Sequence, residues 1–220
     1  PKSFWYKVYE PFIRKAAGLG VASIKHDKER YEHKYEYCDL LVAGSGPSGL
    51  ASAYAAAKNG ARVILAEDKP RFGGSLLTSE VNIGNQSGKE WADNIISELK
   101  ELPNVIVKNR SQVFGYYDHN MLVMSEKLSD HLPKTKKYNP KQRLWYIRAK
   151  EVVISSGSIE RPLVFGNNDT PGVMLSSAAK EYLKVYGVLV GKKPLIFTNN
   201  DSGYETAIEF KKNGVDPVVL

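Results

Sequence analysis

The sequence predicts an α/β protein organised around a parallel β-sheet, and three observations carry that prediction. A short apolar run, Cys38-Asp-Leu-Leu-Val-Ala43, leads straight into the turn Gly44-Ser45-Gly46-Pro47-Ser48-Gly49 and an alanine-rich stretch of helical length. Three β-like segments then succeed one another over 111–117, 121–125 and 144–148, in the manner of an antiparallel meander. From Pro194 onward a second strand–turn–helix–strand order repeats the first. Strands alternating with helical patterns are the mark of βαβ units, whose crossovers are right-handed.

Taken in chain order, residues 1–37 read as an amphipathic lead-in. Gly18 and Gly20 break any helix there, and the charged, tyrosine-rich stretch 25–37 is expected to wrap over a neighbouring surface. The helix over 50–59 is closed by Gly60, and 62–66 is a second strand ending at Glu67. Trp91, Ile95, Ile96 and Leu99 share one face of a helix over 88–101, followed by a strand at 105–107. After the meander, 151–157 returns as a buried parallel strand, and 176–186 is helical with Gly187 behind it. The second unit comprises a strand at 193–197, a helix over 203–212 stopped by Gly214, and a last strand opening at Val218.

Composition narrows the function classes. The chain has 220 residues, 31 Lys plus Arg against 24 Asp plus Glu, a net charge of +7 and 42% hydrophobic residues. These are values of a folded globular chain, so disorder, collagen and coiled coil are excluded. The single cysteine, Cys38, rules out a disulfide framework, a Cys-rich zinc site and a CxxC redox pair. No apolar run reaches the ~18–20 residues of a membrane span, and no secretory leader is legible, so a cytoplasmic setting is expected. The excess positive charge concentrates in one run, 134–143, with Pro133 and Pro140 about it. That suits an exposed hairpin loop facing a partner subunit and not a nucleic-acid site. The four histidines, His26, His33, His119 and His131, have no metal-ligand spacing and are expected at the surface. Ser155 and Ser156 lack the context of a nucleophile elbow.

The glycine turn carries the chemistry. Gly44 permits the tight strand-to-helix turn, Gly46 admits a pyrophosphate close to the backbone, and Gly49 lets helix and strand pack. The helix N-terminus beyond them is a ready anion site. Glu67, 23 positions after Gly44, stands where an acid accepts bonds from adenosine ribose hydroxyls, and its charge disfavours a 2′-phosphate. The expected dinucleotide site is Gly44, Ser45, Gly46, Pro47, Ser48, Gly49, Glu67, Asp68, Gly73, Gly74, Ser75 and Gly157, with no metal and no catalytic side chain assigned. The second turn, Thr198-Asn199-Asn200-Asp201-Ser202-Gly203, keeps only the packing glycine, so a second dinucleotide is not expected there. The domain plan is therefore a lead-in over 1–37, a Rossmann-like dinucleotide-binding domain over 38–190 with a β insertion around 111–148, and the start of a second, degenerate unit over 191–220.

The run Asp39–Leu50 followed by Glu67 and Gly73-Gly74-Ser75 resembles the two-dinucleotide-binding-domain flavoproteins. Three further stretches are similar to the alpha subunits of heterotetrameric sarcosine oxidases: 9–14 with 17–20, 142–145, and 160–165 with Asn168-Asp169 and 171–174. The resemblance covers essentially the whole chain. It implies a longer parent subunit with a folate-binding part, and partners that include a flavinylated beta subunit. It also implies NAD as the first choice for this domain, FAD as the alternative, and FMN at a subunit interface. The reaction implied is oxidation of a secondary amine such as sarcosine to glycine, with folate as one-carbon acceptor and oxygen as electron acceptor. Two other readings stay open: a self-contained FAD-dependent reductase or monooxygenase, and a non-catalytic NAD-bound scaffold subunit.

Overall fold

The computed structural model describes residues 2–20, 22–133 and 140–220, and the chain divides into two compact units, Pro1–Arg30 and Tyr31–Leu220. In the first, α1 (Lys2–Phe4), a π-helical stretch (Trp5–Tyr9) and α2 (Glu10–Ala16) run on without a break. Pro11 sits in the first turn of α2, where its missing N–H costs nothing, and an Arg14–Glu10 pair spans the helix. Gly18 and Gly20, both at positive φ, lie beyond its end.

The second unit has the strands β1 (Tyr31–Ala43), β2 (Val63–Ala66), β3 (Asn82–Ile83), β4 (Gln86–Ser87), β5 (Val105–Lys108), β6 (Ser111–Tyr117), β7 (Met121–Lys127) and β8 (Gln142–Ile154). β3 and β4 pair as a small antiparallel hairpin, and the other six form one sheet in the order β5-β2-β1-β8-β7-β6. β5, β2, β1 and β8 are parallel, whereas β7 is antiparallel to β8 and β6 to β7. The meander shares its last strand with the parallel sheet, since β8 pairs with β7 on one side and β1 on the other. The two strands expected over 144–148 and 151–157 are one strand of 13 residues. β1 likewise starts at Tyr31 and not at Cys38, so 31–37 pairs along β8, from Tyr31 opposite Gln142 to Tyr37 opposite Arg148, instead of wrapping as a loop.

The sheet buries two apolar clusters. One joins Val42, Val63 and Leu65 to α3 (Pro47–Lys58) through Leu50, Ala53 and Ala57, and to α4 (Gly88–Glu101) through Ala92, Ile95, Ile96 and Leu99. Trp91 packs at its edge, half-buried. α4 begins at a capping box, in which the Ser87 hydroxyl accepts from the Glu90 N–H and the Glu90 carboxylate accepts from the Ser87 N–H. The other cluster comprises Cys38, Leu41, Ile64, Ala66, Leu122, Met124, Trp145, Ile147 and Ala149. Beside it the buried Glu126 carboxylate accepts from Trp145 Nε1 at 2.7 Å, Lys108 Nζ at 2.9 Å and Arg143 Nη1 at 3.3 Å, so the charge is compensated.

Arg143 was expected in the basic loop and is instead a strand residue, paired with Glu32 and Glu126. Residues 134–139 of that run lie outside the described residues, and Gln142 opens the same strand as Arg143.

The third cluster is Ala179, Ile196, Ala207 and Phe210. It joins α5 (Ser176–Tyr186), α6 (Asp201–Lys212) and the two-stranded parallel sheet of β9 (Leu195–Ile196) and β10 (Val218–Val219). α5, on the earlier side of the boundary expected at 190, therefore shares its core with the elements that follow it.

Candidate functional site

The glycine turn closes the C-terminal end of β1. Gly44 has φ +103°, and a Cβ there would lie 2.3 Å from the Ser155 carbonyl oxygen, because the end of β8 runs directly beside it. A Cβ on Gly49 would lie 2.0 Å from the Gly44 carbonyl oxygen, so only glycine lets α3 start so near the strand. Gly46 differs from both. It is the N-cap of α3, and among the described residues no side chain caps the helix there and a Cβ would meet nothing within 4 Å.

Pro47 at the first helical position has no N–H, and the first turn carries no acidic residue. The free N–H groups and the positive end of the dipole at this terminus thus face open space at Gly46.

A second backbone approaches from the other side. Gly74 has φ +54°, and its Cβ would come 2.8 Å from Gly46 Cα. The N–H of buried Gly73 donates to the Ser45 carbonyl at 3.1 Å. Ser45, fully buried, donates its N–H at 2.9 Å and its hydroxyl at 2.5 Å to Glu67 Oε2, while the Lys69 N–H donates to Glu67 Oε1 at 3.0 Å. Burial pushes the Glu67 carboxyl up, the bonded Asp68 carboxyl adds to this, and the bonds from Ser45 and Lys69 act the other way. Oε1 still has acceptor capacity beyond the Lys69 bond, which is what a ribose hydroxyl needs.

The structure therefore brings Gly44, Ser45, Gly46, Gly49, Glu67, Gly73 and Gly74 into one cluster. Pro47 and Ser48 are exposed on the first turn of α3, and Asp68 and Ser75 are exposed beside Glu67 and Gly74. Gly157 follows two residues after Ser155, at φ +71° and with open space about it. Sequence reasoning missed Ser155, whose hydroxyl donates to the Ala43 and Gly44 carbonyls at 3.1 Å. It also missed Lys69 and Arg71, which tie the loop after Glu67 to α5 through Glu181 and the Val185 carbonyl. Neither has a local pattern, since each partner lies more than a hundred positions away.

The four histidines are exposed. A concavity of about 340 Å³ lined by Glu32, His33, Lys34 and Arg143 lies towards the opposite end of β1. Ten residues of strand, roughly 33 Å, separate it from the turn, so it is no part of this site.

A donor set of backbone N–H groups, an uncapped helix terminus and an acid at the next strand end suits the diphosphate and ribose of a dinucleotide. Residues 39–127 match the family described as FAD dependent oxidoreductase. The sarcosine oxidase subunit alpha of Rhizobium meliloti (strain 1021) is 45% identical over 220 residues, all of this chain and 22% of that protein. The subunit of the same name from Corynebacterium sp. (strain U-96) is 38% identical over 90% of this chain and 21% of its own length. Among solved structures, L-proline dehydrogenase from P. horikoshii superposes with a TM-score of 0.70 at 22% identity, over 90% of this chain and 37% of that one, a likeness of fold. The chain thus spans about a fifth of the length of the relatives it matches. The matched family is described by FAD, so the order that put NAD first for this domain finds no support in it. With an FAD-dependent oxidoreductase match over 39–127 and 45% identity along its full length, the chain is a homologue of sarcosine oxidase alpha subunits.

Proposed function

We propose that this chain is the dinucleotide-binding part of a multi-subunit flavoenzyme that oxidises a secondary amine such as sarcosine. The observation that carries the proposal is the uncapped N-terminus of α3 at Gly46, with Gly74 backbone against it and buried Glu67 behind. The N–H groups beyond Gly46 hold the diphosphate, Gly74 keeps the second backbone close to it, and Glu67 accepts from the adenosine ribose. These contacts involve only the adenosine-diphosphate half that FAD and NAD share. The family description favours FAD over NAD as the occupant. A flavin, when bound, supplies two-electron oxidation of the amine carbon–nitrogen bond.

In the same proposal the partners are the other subunits of a hetero-oligomeric amine oxidase, above all a flavinylated beta subunit, with FMN at the interface and folate and oxygen as acceptors. The relatives' names, each a subunit alpha, support this assembly. A cytoplasmic setting belongs to the same reading, supported by the single cysteine of the sequence and its lack of a long apolar run. No helix among the described residues is long and apolar enough to cross a membrane.

The test is to denature the purified chain, identify any nucleotide it releases, and titrate the stripped protein with FAD, NAD and ADP. FAD in stoichiometric amount, or tight rebinding of FAD, supports the flavin assignment. NAD alone supports the adenosine-diphosphate site and moves the flavin to another subunit. No nucleotide released and no binding of any of the three sinks the proposal.

A further inference from the structure

The three apolar clusters are separate, and the third belongs wholly to the elements from α5 to β10. That body meets the chain after β2 at the turn 74–77, against which α5 packs, and through charged and polar groups. Lys69 Nζ binds both Glu181 oxygens, at 3.1 and 2.9 Å, and Arg71 Nη1 donates to the Val185 carbonyl at 3.2 Å. Lys184 Nζ reaches Glu80 at 3.2 Å and Glu209 at 3.0 Å, and Lys212 Nζ also binds Glu80. A seam of ion pairs of this kind permits relative motion and weakens with salt.

The connection 155–175 contains no helix or strand and has Gly157 and Gly172 at positive φ with open space around both. Its main tie to α5 is Glu160, whose carboxylate accepts from the Ser176 N–H at 3.2 Å and the Ser177 N–H at 2.6 Å. The α5 N-terminus is linked onward to α6, since the Ser176 hydroxyl donates to Thr206 at 2.8 Å.

One residue joins this seam to the nucleotide site. The Lys69 N–H donates to Glu67 Oε1 at 3.0 Å, and the Lys69 side chain holds Glu181. We propose that the body from α5 to β10 is hinged at 155–175, and that Lys69 couples its seating on the loop to occupancy of Glu67. The coupling rests on the nucleotide proposal above, whereas the hinged body does not. A ribose hydroxyl on Glu67 fixes the carboxylate and with it the Lys69 backbone, which orders the ion pair to α5. By linkage, seating α5 must strengthen nucleotide binding by the same factor.

Hydrogen exchange on the 220-residue chain tests both parts. Without ligand, raising NaCl from about 0.1 to about 1 M should speed exchange across 176–212 about tenfold and leave β1, β2 and β5 unchanged. Equal acceleration of both regions, or none, overturns the hinged body. Saturating FAD should slow exchange across 176–212 in the wild type. Glu181→Gln should abolish that slowing while still folding, and should weaken FAD binding several-fold in a flavin-fluorescence titration. FAD that binds both proteins equally and leaves 176–212 unchanged overturns the coupling while the nucleotide site stands. Failure of FAD and NAD to bind at all overturns the coupling together with the nucleotide proposal, and the salt comparison still decides the hinge.

Discussion

At the first strand–helix turn, Gly44–Gly49, no side chain among the described residues caps the helix terminus; at the second, Thr198–Gly203, the chain supplies the acceptor itself. Asn200 caps α6, its Oδ1 accepting from the Ser202 N–H at 3.0 Å and the Ser202 hydroxyl at 2.5 Å. Thr198 closes the same turn, donating its hydroxyl to the Asn200 carbonyl at 2.9 Å. No side chain among the described residues does this at Gly46.

What the turns share is the packing glycine. A Cβ on Gly49 would meet the Gly44 carbonyl at 2.0 Å, and one on Gly203 the Thr198 side chain at 2.6 Å. The last glycine of the pattern therefore reports how closely a helix approaches its strand, and the middle position reports whether the chain caps its own helix. A side-chain cap removes about one orphan donor and stabilises its helix by about 1 kcal/mol. Leaving α3 uncapped forgoes that stability unless an anion supplies it.

Turning the first turn into the second is the strongest way to break this contrast. Gly46→Asp places a capping carboxylate where a Cβ meets no neighbour, at φ −66°. We expect the unliganded protein to be as stable as the wild type or slightly more so, with dinucleotide binding weakened about 100-fold or more, roughly 2.7 kcal/mol. Isothermal titration with FAD, NAD and ADP, beside thermal unfolding of the stripped protein, measures both. Retained affinity would mean that Gly46 faces no phosphate. Gly49→Ala should do the reverse within the same turn. Its clash is with backbone, so unfolding stability should fall by about 1–3 kcal/mol even without ligand. Denaturant unfolding reads this directly, and an unchanged midpoint would refute the packing role.

How far the sequence foretold all this depended on whether the signal was local. Helix 88–101 was legible because its apolar face repeats within the chain itself, although the Ser87 and Glu90 box that caps it, just as local, went unread. The three glycines were legible for the same reason. The first seven residues of β1 were not: Tyr31–Tyr37 alternates aromatic and charged side chains, mostly exposed, and is held in the sheet by pairing with β8. β8 looked broken at Arg148-Ala149-Lys150, yet Ala149 is buried in the core while Lys150 pairs with Asp39 at the surface. The site's second layer was hidden more deeply. Ser45 was expected among the dinucleotide contacts, but its bond to Glu67, 22 positions on, appears only in the folded chain.

The self-sufficient turn offers a milder perturbation. Asn200→Ala removes the α6 cap and should lower stability by about 1 kcal/mol, a Tm loss of about 2–4 °C for a chain this size. Nucleotide affinity should stay within experimental error, because Asn200 itself occupies the helix terminus at the second turn. A loss of affinity as large as that expected for Gly46→Asp would make the two turns one site and dissolve the distinction.

The smallest expected effect concerns the charge behind the first turn. Glu67 is buried and its carboxyl is held above the ordinary carboxylate range, chiefly by burial. Between the ordinary value of 4.5 and the raised one, the folded state binds more protons than the unfolded state. Stability from this group is therefore fully present below 4.5 and falls as pH rises through the folded value. Glu67→Gln cannot titrate. It shifts stability by a constant amount, through the acceptor lost from Ser45 or Lys69, and removes only the slope. The Tm of the wild type minus that of Glu67→Gln, followed upward from pH 4 without nucleotide, should decline and then level off. Asn200 at the second turn carries no charge, so Asn200→Ala should track the wild type at a fixed offset over the same range. A wild-type minus Glu67→Gln difference that rises with pH would mean that Ser45 and Lys69 outweigh burial. Glu67 would then be an ordinary stabilised carboxylate, not one held at a cost behind a turn left open for a ligand.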